Sequence, residues 1–202
     1  MNKIFYLILV VFLIVNIFIY SQYTKMKRMI LNISVLTEKI CDYEVKLDIC
    51  SNNELIRVFN NGKLLNKEMC MYNMYGDKFN LHEIVNENKL VLNFSELNCN
   101  TCVDEQLKYL NEYADSIGTS NVLIFVTCND YSHMRRLKKM NKVKFELFNL
   151  GDSLNNVIKD IGFPYFFVID KSLRVNSIFI PEKGNKSLTY NYLDNILKNY
   201  YQ

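Results

Sequence analysis

Two thiols separated by two residues are the chemistry-bearing feature of this chain: Cys99-Asn100-Thr101-Cys102 closes the stretch Lys89–Cys102, KLVLNFSELNCNTC. A thiolate attacks a disulfide, and a second thiol one helical turn away closes a disulfide on the first or releases a mixed disulfide. Leu90, Val91, Leu92 and Phe94 form a short apolar run before the pair, the pattern of a buried strand. After it Leu107, Leu110 and Ala114 recur at helical spacing, with Asp104 and Glu105 early in that segment. The cysteines therefore sit at a strand-to-helix junction. Free N–H groups and the dipole at a helix N-terminus stabilise an anion, bringing a thiol pKa from about 8.5 toward roughly 3.5–7.5. Cys99 is the expected nucleophile and Cys102 the resolving thiol.

Zinc is the competing use of such a pair. A structural zinc site needs four ligands, and neither a second Cys-x-x-Cys nor a paired-His motif follows, so no metal is expected. Cys128 ends the apolar run Asn121–Thr127. It reads as a buried strand-end thiol, the alternative being an accessory thiol that accepts the disulfide or joins Cys99, Cys102 and His133 around copper or zinc. His133, with Arg135, Arg136, Lys138 and Lys139, reads as the solvated face of a basic helix, His82 as a loop residue, and Cys70 as a small core residue in a strand.

The elements that must position the pair follow from composition and pattern. The 202 residues, net charge of +3 and 50% hydrophobic content allow one ordinary domain with appendages. No Gly-rich phosphate loop is present, so no cofactor is expected, and charge of mixed sign gives no support for nucleic-acid binding. Ile4–Tyr20 is an apolar run broken only by Asn16, at the lower limit of about 17 residues for a membrane-spanning helix. It lacks a small-x-small cleavage site, so an uncleaved anchor over residues 1–24 is expected rather than a signal peptide. Cysteines carried behind an anchor point to an oxidising compartment.

Residues 25–52 read as a helical stalk. Met26, Met29, Ile33, Leu36, Ile40, Tyr43 and Leu47 follow steps of three and four that Cys50 continues. The seam either packs on the chain's own globular domain or pairs with a second copy as a homodimer, in which case Cys41 and Cys50 are the disulfide candidates. The rest, 53–202, alternates short elements. Leu55–Phe59 and Met69–Met74 read as the strands of an N-terminal hairpin, with turns at Asn60-Asn61-Gly62 and Tyr75-Gly76-Asp77, and Phe79–Val85 leads into the strand before the thiols. Asn121–Thr127, Lys144–Asn149, Tyr165–Asp170 and Arg174–Ile180 read as further strands. Tyr131–Met140, Leu154–Ile161 and Leu188–Tyr200 read as helices. The fold class is α/β, a mixed sheet covered on both faces.

That order of elements, with the local stretches VLNFSELNCNTC and IGFPYFFVID, resembles the thioredoxin-like fold. The anchor and N-terminal hairpin make it similar to the TlpA-like branch of membrane-anchored extracytoplasmic thiol–disulfide oxidoreductases. The resemblance covers about Met69 to the C-terminus. It implies that Cys99 attacks, that Cys102 resolves, and that Pro164 takes the place of a cis-proline that, with Phe163, contacts the substrate peptide. It implies a bacterial inner-membrane location with a single span and the C-terminal domain in the periplasm. The implied partners are a cysteine-containing extracytoplasmic protein and a membrane electron donor. Asn93 stands where some relatives carry a proton-accepting acid, which leaves Glu96 as the nearest alternative. The family's tryptophans are absent, with Ser95 and Asn98 in their places, and Asn100-Thr101 lacks the usual proline. The expected function is reduction or exchange of disulfides. The alternatives are a metallochaperone of related fold and a non-catalytic membrane-tethered interaction module.

Overall fold

A computed structural model describes the backbone of residues 2–151, 154 and 162–202. It also describes their side chains, except 2–7, 9–11, 38, 41, 42 and 44–52. The chain divides into two compact units, Met1–Asn52 and Asn53–Gln202.

In the N-terminal unit the backbone is helical from Asn2 onward, as part of α1 (Asn2–Asn60). Its described apolar side chains, from Phe12 and Leu13 to Ile40 and Tyr43, are exposed. Among the described residues no helix is long and apolar enough to cross a membrane. Several side chains of the expected anchor, 4–7 and 9–11, lie outside the described residues, as do those of Cys41 and Cys50.

Among the described residues, the second unit is built on a seven-stranded sheet. Its strands are β1 (Cys70–Asn73), β2 (Lys78–Asn80), β3 (Lys89–Ser95), β4 (Val122–Thr127), β5 (Glu146–Asn149), β6 (Tyr165–Ile169) and β7 (Val175–Phe179), in the order β2-β1-β5-β4-β3-β6-β7. The central strand, β3, pairs in parallel with β4 and antiparallel with β6. All seven residues of β3 are buried, as a strand covered on both faces requires. Successive side chains of a strand point to opposite faces. Leu90, Leu92 and Phe94 accordingly enter one core, with Leu107 and Leu110 from α3 (Asn100–Glu112), Ala114 and Ile117 from α4 (Ala114–Ile117), Met134 from α5 (Tyr131–Met140) and Leu193 from α6 (Lys186–Ile196). Val91 enters the opposite core, with Phe125, Phe167 and Leu81 of α2 (Leu81–Ile84). Each Leu or Phe buried in this way contributes about 1.5–3 kcal/mol over an exposed one. The β3–α3 junction is thus clamped on both sides.

Leu55–Phe59, expected as a strand, is the end of α1 instead. Its apolar residues fit helical spacing equally well, and only Ile56 is turned toward a core, while Leu55, Val58 and Phe59 stay exposed. A Glu54–Arg57 contact of 2.6 Å and an Asn60 side-chain bond to the Ile56 carbonyl at 2.8 Å hold the last turns. The N-terminal hairpin is therefore β1–β2, closed at Tyr75-Gly76-Asp77 with Gly76 at φ +88°. The expected helix Leu154–Ile161 falls largely outside the described residues.

Candidate functional site

Between β3 and α3 the chain makes a short loop, Glu96–Asn98, whose hydrogen bonds set the position of Cys99. Asn98 is 6% exposed; its Oδ1 accepts the Ser95 N–H at 2.9 Å and its own N–H donates to the Ser95 carbonyl at 3.0 Å. The Glu96 N–H donates to the Thr127 carbonyl at 2.9 Å, fastening the loop to the end of β4. Leu97 is left 89% exposed beside the thiols.

Cys99 caps α3, with its carbonyl accepting the Val103 N–H at 3.1 Å. It is exposed, Cys102 is half-buried, and both are free thiols. The Cys102 thiol, hydrogen-bonded to the Cys99 sulfur, holds Cys99 below the ordinary thiol range; the backbone N–H groups of Cys102 and Thr101 and the charge of Lys183 add to this. The same hydrogen bond pushes Cys102 up, and its burial pushes further. The two thiols are therefore unequal, Cys99 the more acidic and Cys102 the less, an inequality that suits attack followed by resolution.

The register Asn93↔Tyr165 brings the start of β6, and with it Pro164, to the edge where β3 ends. Pro164 is buried and Phe163 is 60% exposed. Among the described residues no peptide bond is cis, so the Phe163–Pro164 bond is trans, contrary to the expectation carried over from the resemblance. Trans is the form favoured for an X–Pro bond by about 0.5–1 kcal/mol.

Glu96 accepts from the Asn129 side chain at 2.6 Å and from its N–H at 3.3 Å, so its carboxylate bridges to the loop after β4. The structure thus places it with Cys128. That thiol is 7% exposed in the core under α3 and α5, with its backbone held by Asn149 through bonds of 3.4 and 2.8 Å. Burial first, and then the Glu96 charge, push it up to about 11. Asn93 Oδ1 and Ser95 Oγ are buried without hydrogen-bond partners among the described residues.

Among the described residues no three His, Cys, Asp or Glu side chains gather as a metal site. His133 Nδ1 meets Arg136 at 3.2 Å, and His82 Nδ1 lies 2.9 Å from the Lys67 carbonyl. Within the basic helix α5, Arg135 donates to the Met74 carbonyl at 2.9 Å and so ties α5 to the hairpin. Cys70 lies in β1, at the far side of the sheet from the β3–α3 junction.

Two further residues shape the site with little signal in the sequence. Lys183 lies in the Pro181-Glu182-Lys183-Gly184 turn after β7, and no local signal links it to the thiols. Asn98 stands where the resemblance places a tryptophan, and Asn in a turn is itself a signal for side-chain-to-backbone bonding.

No family model and no curated protein sequence matches the chain. Solved structures do resemble it. The thioredoxin domain of a thiol-disulfide oxidoreductase from Bacteroides vulgatus superposes with a TM-score of 0.54 at 13% identity, covering 68% of this chain and 97% of that one. A thiol:disulfide interchange protein from Bacteroides sp. gives 0.51 at 17% identity, covering 71% and 94%. A thioredoxin-like protein from Porphyromonas gingivalis gives 0.51 at 16% identity, covering 71% and 97%. At such identities the likeness is one of fold alone. The chain has a thioredoxin-like fold.

Proposed function

We propose that the chain is a thiol–disulfide oxidoreductase that reduces or exchanges disulfides of extracytoplasmic proteins. The observation that carries this reading is the unequal pair at the head of α3, Cys99 lowered and exposed, Cys102 raised and half-buried. In the forward step the Cys99 thiolate attacks one sulfur of the partner disulfide, a Cys99–partner bond forms, and the partner's second sulfur leaves as a thiolate. Cys102 then gives up its proton and attacks the Cys99 sulfur. The Cys99–Cys102 disulfide forms, and the partner's first sulfur is expelled. Two electrons have passed to the partner, and a dithiol donor at the membrane must return them.

Exposed Leu97, in the loop before Cys99, and exposed Phe163, which precedes the buried Pro164, supply apolar surface against which a substrate peptide rests. The apolar run Ile4–Tyr20 anchors the chain in the bacterial inner membrane with residues 53–202 in the periplasm, where disulfide substrates persist. The neighbours titled thiol-disulfide oxidoreductase and thiol:disulfide interchange protein support the same chemistry.

The test is a Cys102→Ser variant in cells. It should accumulate mixed disulfides that a reductant dissolves and that a further Cys99→Ser change abolishes. Equal adduct yields with and without Cys99 would remove the proposed nucleophile.

A further inference from the structure

Helix α1 carries an apolar seam that the thiol chemistry does not use. Met26, Met29, Ile33, Leu36, Ile40 and Tyr43 recur at alternating steps of three and four, and in the sequence Leu47 and Cys50 continue the pattern. A repeat averaging 3.5 residues stays on one side of a helix as a stripe that a partner helix can follow. The six described side chains are 56–66% exposed.

We propose that this seam pairs with the same seam of a second copy, as a parallel, in-register, two-stranded coiled coil. Heptad positions decide partner, stoichiometry and direction. With Met26 at a, the a positions are Met26, Ile33, Ile40 and Leu47, and the d positions are Met29, Leu36, Tyr43 and Cys50. Two β-branched residues at a, with Leu36 at d between them, favour two strands. The flanking g positions are Lys25, Asn32, Lys39 and Lys46, and the e positions Ile30, Thr37, Glu44 and Ser51.

In a parallel pair each g faces the following e of the partner. Lys39 then meets the partner's Glu44, and no like charges oppose. An antiparallel pair would set g against g, bringing three lysines per chain together with no acidic residue to offset them. Orientation is thus written in the charges. Leu31 at f and Val35 at c lie off the seam and stay exposed in the pair. The pairing does not depend on thiol chemistry, so either reading can fail alone.

The full chain in detergent micelles tests it, with the photo-crosslinking residue p-benzoylphenylalanine placed at Leu36 on the seam or at Leu31 off it. Irradiation should yield a reductant-stable species of twice the chain mass from position 36, at least tenfold more than from position 31. Lys39→Glu should reduce the position-36 yield severalfold, and adding Glu44→Lys should restore it. Monomer alone from position 36, equal yields from both positions, or a three-chain product overturns the two-stranded seam. Failure of the charge exchange to restore crosslinking overturns the parallel register.

Discussion

Replacing Asn98 with alanine isolates the contact that presents the nucleophile. The substitution removes the Oδ1 that accepts the Ser95 N–H at 2.9 Å, at a site where Ser95 is 8% and Asn98 6% exposed, so water does not stand in. A buried donor left without its acceptor costs about 1–3 kcal/mol. With a urea dependence of about 2 kcal/mol per molar for a domain of this size, the unfolding midpoint falls by roughly 0.5–1.5 M. Far-UV circular dichroism of the full chain in detergent follows the transition, and tyrosine fluorescence gives an independent probe. Asn98→Asp keeps the acceptor and should recover part of the loss. An Asn98→Ala midpoint equal to the parent's would refute the assignment of this side chain as the clasp of the loop.

Thiol ionisation gives two further predictions. On alkylation across a pH series, with the products mapped by mass spectrometry, Cys99 should react below the ordinary thiol range, because a lowered pKa keeps its thiolate populated as pH falls. Cys102 should lag behind it, and Cys128 should resist until the pH nears about 11, the value to which burial raises it. Lys183→Glu replaces an attractive charge near both thiols with a repulsive one. It should move the Cys99 alkylation profile to higher pH, most at low ionic strength, and the same rate at every salt concentration would show that Lys183 does not act on the thiols.

Legibility from sequence tracked how strongly a segment was buried. KLVLNFS and YFFVI lie at the sheet centre with both faces covered, and such strands read as continuous apolar runs. The helix after the thiols was equally readable, since Leu107 and Leu110 are fully buried on one face. Leu55–Phe59 failed because five residues cannot separate the two periods, and the helix leading into them decides the matter. At the site, the Cys99–Cys102 junction is local in sequence and was legible. Lys183 joins through a turn distant along the chain, and Asn98 through backbone geometry that composition does not encode. The proline expectation came from the resemblance alone, and the trans Phe163–Pro164 bond departs from it while keeping Pro164 at the same sheet edge.

Equilibrating the full chain in buffers of graded dithiol to disulfide ratio tests whether Cys99 and Cys102 form one redox couple. Each sample is then alkylated under acid quench and the disulfides mapped. One two-electron transition is expected, in which both thiols are lost together and a Cys99–Cys102 peptide appears, while Cys128 stays alkylatable after denaturation. Separate transitions for the two thiols, or a disulfide from Cys99 to any other cysteine of the chain, would contradict it.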